Sequence, residues 1–111
     1  MPLDIGLIHY PVRDRLGRIV NTSITNFDIH DLARAARTFG VERYYIVAPV
    51  DSQRQFVRNV IRHWAEGPGA ELNITRGQAL ALVRLVRDIN EIQDDIMKDR
   101  PGRPLFVATS A

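Results

Sequence analysis

The stretch TNFDIHDLARAARTFGVERYYIVAP (residues 25–49) decides the fold, because a helical pattern in it leads directly into a strand pattern. Asn26 or Asp28 can cap a helix, and Gly40 is placed to end it. The β-branched and aromatic run at 42–49 then predicts a strand. A helix joined so closely to a strand is typical of an α/β domain.

The same alternation continues towards both ends of the chain. Residues 11–25 are predicted to form a long loop with room for a short ribbon. Residues 76–100 could form one long helix, but a capping-box pattern at Asp88 and Glu91 favours a division into helix, strand and helix. The predicted strands are 3–10, 42–49, 82–87 and 103–111, and the predicted helices are 26–39, 51–64, 76–81 and one that starts at Asp88.

This order, β-α-β-α-β-α-β, predicts one α/β domain over residues 1–111, with a mainly parallel sheet and helices on both faces. The last strand is a continuous apolar run of the kind that parallel sheets bury. In open α/β sheets the ligand crevice lies at the carboxyl ends of the strands. His9 and Tyr10, after the first strand, and Gln53, on the second helix, are therefore crevice candidates.

Composition and length exclude several classes of protein. The chain has 111 residues, 45% of them hydrophobic and 25% charged, as is ordinary for one soluble domain. No cysteine is present, so disulfides and cysteine-based sites are excluded. The first residues do not form a signal peptide, and no apolar run approaches the roughly 18–20 residues that span a bilayer. We therefore expect a cytoplasmic protein.

Positive charge is concentrated in the first half of the chain. Residues 11–62 hold nine arginines against five acidic residues, whereas residues 88–99 hold five acidic residues against Lys98. Fourteen of the fifteen basic residues are arginine, whose planar guanidinium suits phosphates and bases. A GC-rich genome that encodes arginine by default would produce the same composition, so composition leaves both interpretations open.

The two longer helices each pair an apolar face with a basic one on a helical wheel. The predicted apolar faces are Ile29, Leu32, Ala35, Ala36 and Phe39 on the first helix, and Phe56, Val57, Val60, Ile61 and Trp64 on the second. The opposite faces carry His30, Arg34, Arg37 and Thr38, and the ridge Arg54, Arg58 and Arg62. Together with Arg13 in the loop, these arginines could follow a phosphate backbone, although surface helices carry charge in any case.

Other chemistries are weakly indicated or absent. The polar run NTSITN (21–26) stands just before a helix N-terminus, which favours an anion or polar ligand, although helix capping explains one of these residues. The dinucleotide and P-loop motifs are missing. The three histidines are scattered, so no metal site is expected, and Ser23 and Ser110 lack the context of a nucleophile.

Taken together, the segments LIHYPV, TNFDIHDLARAARTFGVERYYIVAP, HWAEGPGAELN and LFVATSA resemble a bacterial branch of the SPOUT superfamily, whose members are predicted S-adenosylmethionine-dependent RNA methyltransferases. The resemblance covers essentially the whole chain and implies a Rossmann-like fold. ARAARTFGV (33–41) also resembles the first motif of ribose 2′-O-methyltransferases, in which a helical arginine precedes Phe-Gly-Val. Arg34 matches that arginine, whereas Asp28 and His30 replace an asparagine and a glycine, so ribose and base methylation both stay open.

The resemblance implies roles for particular residues. Arg34 would orient a phosphate or activate the acceptor, with Asn26 and His30 in support. Thr109 and Ser110 would form the first edge of the S-adenosylmethionine site. The partners implied are RNA, either tRNA or rRNA, and a second copy of the chain in a homodimer.

The same resemblance implies a C-terminal trefoil knot after the last strand, and the sequence ends at Ala111. We therefore expect a piece truncated before the knot and inactive alone. One alternative is a non-catalytic RNA-binding module with the same fold. Another is a flavodoxin-like or receiver-like interaction domain, which is disfavoured because no acidic cluster follows the first strand.

Overall fold

A computed structural model describes residues 2–9, 12–20, 24–65 and 74–109 of the chain. Strands and helices alternate along these ranges, as the hydrophobic periodicity predicts. The strands are β1 (Asp4–Ile8), β2 (Val12–Arg13), β3 (Ile19–Val20), β4 (Arg43–Val47) and β5 (Val83–Val86). The helices are α1 (Asn26–Thr38), α2 (Asp51–Ala65), α3 (Ile74–Leu80) and α4 (Ile89–Asp99).

The main sheet has three parallel strands in the order β1-β4-β5. Tyr44 of β4 lies opposite Ile5 on one side and Val83 on the other. All five residues of β4 are buried, which agrees with its central position. The short strands β2 and β3 form the ribbon predicted within the 11–25 loop, and they pair antiparallel.

Helices cover both faces of this sheet, which confirms the predicted α/β class. Side chains of a strand point alternately to its two sides. Tyr44 and Ile46 pack with α1, α2 and α3, so we call this the three-helix side. Tyr45 and Val47 pack with α4, on what we call the α4 side.

The start of α1 differs from the prediction by one residue. The N-cap is Thr25, not Asn26 or Asp28. The Thr25 hydroxyl accepts a hydrogen bond from the Asp28 amide, and the Asp28 carboxylate accepts one from the Thr25 amide, both at 3.1 Å. This reciprocal capping box satisfies two amides that a cap at Asn26 would leave to water. Gly40 ends the helix as predicted, with a φ of 71° that glycine adopts without strain.

The buried face of α1 also differs in part from the helical wheel. Ile29, Ala33 and Ala36 are the fully buried residues, at the spacing of one helix face. Ala35 was predicted on that face but is exposed. Phe39 is 80% exposed because it caps the helix after its last turn, where the periodicity no longer applies.

The ambiguous 76–100 region divides as predicted into α3, β5 and α4. Asp88 caps α4 by accepting a hydrogen bond of 2.8 Å from the Glu91 amide. The second half of the predicted capping box is different, because the Glu91 carboxylate accepts from the Arg87 amide at 2.7 Å. The start of α4 is therefore held by hydrogen bonds at both Arg87 and Asp88.

The predicted strand at 103–111 is wrong for residues 103–109, which form no regular element. The side chains of Leu105, Phe106 and Val107 are 90%, 50% and 78% exposed. An apolar, β-branched run supplies the propensity for a strand, but a strand also needs a neighbour for its hydrogen bonds. None of the strands in the described part of the chain pairs with this segment. Residues 110–111 lie outside the described ranges.

Candidate nucleic-acid interface

The outward surface of the three-helix side carries exposed arginines. The short helix α3 packs against both α1 and α2, so the three helices form one continuous layer. Four arginines are exposed on it: Arg34 and Arg37 on α1, and Arg58 and Arg62 on α2. Within the described residues, none of the four forms an ion pair with an acidic side chain. This layer therefore presents uncompensated positive charge to the solvent.

Arg34 lies on the exposed side of α1, as the helical wheel predicts. Its backbone carbonyl accepts a 2.9 Å hydrogen bond from the Thr38 hydroxyl. Arg37, one turn further along, donates a 2.8 Å hydrogen bond to the Gln78 side chain of α3. The two arginines thus differ: Arg37 joins two helices, and Arg34 projects from one.

Arg54 is a correction to the predicted basic ridge. It is only 7% exposed, and its guanidinium donates a 3.1 Å hydrogen bond to the carbonyl of Ala48, just after β4. Burial lowers the pKa of Arg54, and the nearby charges of Arg87 and Arg58 lower it further. The wheel placed Arg54 in line with Arg58, but a side chain in the first turn of α2 can reach back to the end of the preceding strand. We therefore remove Arg54 from the candidate RNA contacts.

A cluster around Trp64 lies where the three helices meet. The guanidinium of Arg76 sits over the Trp64 ring at 4.7 Å from its centroid, within cation–π range. His30 of α1 and His63 of α2 contact the indole with perpendicular rings, at centroid distances of 5.7 and 4.9 Å. We call these four residues the Trp64 cluster. It joins one residue of α1, two of α2 and one of α3.

His30 was predicted on the outer face of α1, yet it is partly buried against Trp64. Its Nδ1 atom is buried and has no hydrogen-bond partner within the described residues. Burial lowers the pKa of His30; the positive charges of Arg76 and Arg34 lower it further, and Asp31 opposes them. The imidazole is therefore neutral at pH 7.

His9 lies at the carboxyl end of β1, as predicted for a crevice residue, and it is buried. Its Nε2 atom is 4.0 Å from the carboxylate of Asp28 in the α1 capping box. Burial lowers the pKa of His9, and the negative charge of Asp28 opposes this effect. The Tyr44 hydroxyl of β4 donates a 3.2 Å hydrogen bond to the Asp28 carbonyl, so the start of α1 is held to the central strand.

Gln53 lines an open cavity of about 310 Å³ beside the first turn of α2. Its other described lining residues are Ile24, Ser52 and Phe56. His9 is not among them, so the structure does not bring the predicted crevice residues into one pocket. The third crevice candidate, Tyr10, lies outside the described ranges.

The remaining predicted residues are dispersed. Arg13 is exposed on the β2–β3 ribbon, and Asn26 is the first residue of α1. Thr109 is exposed in the irregular segment, and Ser110 lies outside the described part of the chain. No three His, Asp or Glu side chains in the described ranges come together as metal ligands would. No described helix is both long enough and apolar enough to cross a bilayer.

Comparison with known protein sequences identifies the family of this chain. A sequence model of a family described as SAM-dependent RNA methyltransferase matches residues 2–111. The chain belongs to this family. It is 45% identical over 106 residues to a tRNA (guanine-N(1)-)-methyltransferase of Oleidesulfovibrio alaskensis, a match that covers 96% of this chain and 25% of that protein.

Two further relatives show how much of a longer protein this chain corresponds to. A tRNA (guanine-N(1)-)-methyltransferase of Nitratidesulfovibrio vulgaris is 37% identical over 106 residues, which cover 96% of this chain and 25% of the relative. A protein of Aquifex aeolicus named as uncharacterized is 44% identical over 107 residues, which cover 96% of this chain and 52% of the relative. The chain thus spans between a quarter and about half the length of these relatives.

The family implies S-adenosylmethionine as a cofactor, but the described residues given to it do not form a site. Thr109 is exposed, and its neighbours Leu105 and Val107 are exposed as well, so this segment does not enclose an adenosine. A nucleoside cofactor needs a concave, largely apolar pocket with a few placed polar groups. We therefore assign no cofactor contact to the described residues of the 103–109 segment.

The Trp64 cluster was missed at the sequence level. Trp64 was assigned to the apolar face, His63 was discounted as a scattered histidine, and Arg76 was only the start of a helical stretch. One signal was present, because His63 and Trp64 adjoin each other and His30 stands on the polar side of α1. Spacing alone could not show that α3 brings Arg76 over the indole.

Proposed function

We propose that this chain is the RNA-facing part of an S-adenosylmethionine-dependent RNA methyltransferase of the SPOUT type. One observation carries the proposal: Arg34, Arg37, Arg58 and Arg62 form an exposed layer without carboxylate partners in the described residues. A polyanion that replaces the missing carboxylates would neutralise this layer and release its counterions. The names of the two tRNA methyltransferase relatives support tRNA as the substrate class.

Within this proposal, the described residues position RNA. Arg34 projects from α1 and binds a phosphate of the substrate near its target nucleotide. The imidazole of His30 lies one turn away and supports this face of α1 through its contact with the Trp64 ring. Homodimer formation is part of the same proposal and would bring a second copy of the arginine layer to the substrate.

A second candidate is an RNA-binding module without catalysis in this chain. The exposure of Thr109 favours it, because this residue and its described neighbours do not enclose a cofactor. The two candidates differ in one measurement. A calorimetric titration of the whole protein that carries this chain with S-adenosylmethionine, followed by methyl transfer from labelled cofactor to tRNA, gives binding and transfer for the enzyme, and neither for the module. The 111-residue chain by itself is expected to bind tRNA in both cases.

The arginine layer itself is tested by binding of labelled tRNA to the variant Arg34→Ala, measured by fluorescence anisotropy. We expect a severalfold weaker affinity and a salt slope shallower by about 0.7–1, as for the loss of one phosphate contact. Arg84→Ala is the matched control, because Arg84 is also exposed but lies on the α4 side, paired with Asp95. Equal losses in the two variants would contradict the proposal.

A further inference from the structure

We propose that the outer face of α2 binds a double-helical stem of the substrate RNA across its minor groove. Four residues form this face, and we call them the α2 patch: Gln55, Arg58, Asn59 and Arg62. The inference rests on the proposed function, because it names the form of RNA that the three-helix side binds. It adds contacts with ribose to the contacts that the arginines make with phosphate.

The α2 patch is a continuous polar surface. Its residues stand at i, i+3, i+4 and i+7, so they are neighbours on one face of the helix. All four side chains are exposed, and neither arginine forms an ion pair within the described residues. Asp51 lies one turn before Gln55, in the first turn of α2. The positive charge of this face is therefore concentrated in the second half of the helix.

The two carboxamides of the patch form a hydrogen-bonded pair. The Gln55 side-chain nitrogen donates to the Asn59 side-chain oxygen at 2.9 Å. This bond leaves the oxygen of Gln55 as an acceptor and the NH₂ group of Asn59 as a donor at the exposed surface. A ribose 2′-hydroxyl both donates and accepts, so the pair offers it one group of each kind. Because the pair carries no charge, its contribution can be separated from that of the arginines.

The shape of this face favours the minor groove of an RNA stem. An α-helix with its side chains is convex and about 10–12 Å wide. The major groove of A-form RNA is deep and narrow, whereas the minor groove is wide and shallow and displays the 2′-hydroxyls. The helix face can thus lie in the minor groove with its arginines on the adjoining phosphates. Proteins that bind single strands rely on aromatic rings for stacking, and the α2 patch contains none.

The experiment compares three labelled probes of matched length and charge. They are an RNA hairpin, a DNA hairpin of the corresponding sequence and an unstructured single-stranded RNA, and fluorescence anisotropy measures their binding to the chain at one salt concentration. We expect the RNA hairpin to bind at least about fivefold tighter than either of the others, as for one additional hydrogen bond. Equal affinity for the two hairpins would overturn the proposal, and so would a preference for the single strand.

A double variant separates ribose contacts from charge. Gln55→Ala with Asn59→Ala removes both carboxamides, keeps every charge and replaces them with the best helix former. We expect about fivefold to tenfold weaker binding of the RNA hairpin, with an unchanged salt slope, and DNA hairpin affinity within about twofold of the parent. Equal losses for the two hairpins would contradict recognition of the 2′-hydroxyl.

The matched control removes the same two residue types from α4. Asn90→Ala with Gln93→Ala lies on the α4 side and should change the affinity for neither hairpin. Far-UV circular dichroism of each variant without nucleic acid shows whether the fold is intact. A loss in this control equal to that of the α2 double variant would overturn the assignment to α2.

The phosphate contact of the patch has its own variant. Arg58→Gln should weaken both hairpins and make the salt slope shallower by about 0.7–1, as for the loss of one phosphate contact. A folded Arg58→Gln variant that binds both hairpins as the parent does would show that this face of α2 does not contact the stem.

The two proposals fail in different ways. If the chain binds tRNA but the α2 double variant binds the RNA hairpin as the parent does, the stem site is wrong and the arginine layer stands. If a folded chain binds neither tRNA nor any of the three probes, the proposed function is wrong, and the stem site with it.

Discussion

The two sides of the sheet handle positive charge in opposite ways. On the α4 side, the arginines next to the sheet have carboxylate partners: Arg43 pairs with Asp95 and Asp99, and Arg84 pairs with Asp95. We call the paired charges on the α4 side the balanced layer, because its arginines have carboxylate partners. The exposed arginines of the three-helix side have no such partners within the described residues.

The balanced layer has a structural purpose. Arg43 is only 9% exposed, and a buried guanidinium is tolerated only when its charge and its donors are matched. Asp99 accepts a hydrogen bond from this guanidinium, and the Asp95 carboxylate lies 3.5 Å from it. Asp95 links the layer, since it also accepts 2.6 Å hydrogen bonds from the Tyr45 hydroxyl and from Arg84. Arg100 extends the layer by pairing with Asp4 and Glu42 at the amino end of the sheet.

The pKa shifts on the α4 side agree with this arrangement. Burial alone would raise the pKa of Asp95, but hydrogen bonds from Tyr45 and Arg84 and the charges of Arg84 and Arg43 bring it below its ordinary value. Burial raises the pKa of the Tyr45 phenol, and its hydrogen bond to Asp95 raises it further. The layer therefore holds a carboxylate and a neutral phenol together across the neutral pH range.

The three-helix side is held instead by apolar packing. Ile29, Ala33, Ala36 and Val57 are fully buried between the helices and β4. These contacts hold the helices, and of the four exposed arginines Arg37 adds one hydrogen bond between helices, to Gln78. If the three-helix side binds RNA as proposed, the charge network that stabilises the fold and the binding surface lie on opposite sides of one sheet.

The strongest test of this separation is Asp95→Ala. It removes the carboxylate that accepts hydrogen bonds from Tyr45 and Arg84 and that forms an ion pair with the buried Arg43, so we expect the free energy of unfolding to fall by about 2–4 kcal/mol. Urea denaturation followed by Trp64 fluorescence measures the loss. Affinity for tRNA, measured on the folded variant, should stay unchanged.

Asp94→Ala is the control for that variant, since the neighbouring Asp94 is exposed and forms no ion pair with the described residues. Its loss should stay below about 0.5 kcal/mol, as for ordinary surface changes. Similar losses from Asp94 and Asp95 would show that the α4 side is not held by its charge network.

Much of the fold could be predicted from periodicity. The strand at β4, the division of 76–100 and the helices on both faces all follow from patterns within single elements. The predicted strand at 103–109 could not be tested by periodicity alone. Its apolar residues favour a strand, but no described strand pairs with it. A strand forms only when two segments pair, and a local sequence pattern describes only one of them.

The same distinction between single elements and contacts among elements applies to the candidate site. The exposure of Arg34 follows from one helix, so the wheel predicts it. Arg54 shares the stripe of Arg58, and only the position of Ala48 shows that it reaches back into the sheet. The Trp64 cluster needs three helices in contact, and spacing within one helix carries no information about that.

A smaller effect is expected from the helix caps on the two sides. Thr25→Ala removes the cap of α1 and Asp88→Ala that of α4, and each should cost about 1 kcal/mol of unfolding free energy. If outward charge rather than helix stability sets RNA affinity, both folded variants should bind tRNA as the parent does. Weaker tRNA binding by Thr25→Ala alone would show that the start of α1 contributes to the RNA site. Stability and RNA binding would then not be separate on the three-helix side.

The smallest expected effect is a difference in pH dependence between the two sides. The folded-state pKa of His30 is lowered by burial and by Arg76 and Arg34, against the opposing charge of Asp31. The unfolded chain therefore binds a proton first as pH falls, and stability is fully present above the ordinary value of about 6.5. Below it, stability declines as the pH falls towards the lowered pKa.

This histidine contribution is expected to be small, because the side chain is only partly buried and solvent screens the charges that act on it. Urea unfolding at pH 7.5 and pH 5.5 measures it, and His30→Gln should reduce the difference.

His9, buried beside Asp28, has a lowered pKa and retains its own share of the decline in that variant. The α4 side loses its contribution only when Asp95 is protonated, at a pH below the ordinary carboxyl value of 3.8. A decline between pH 7.5 and 5.5 that His30→Gln leaves intact would place the pH-sensitive group elsewhere than in the Trp64 cluster.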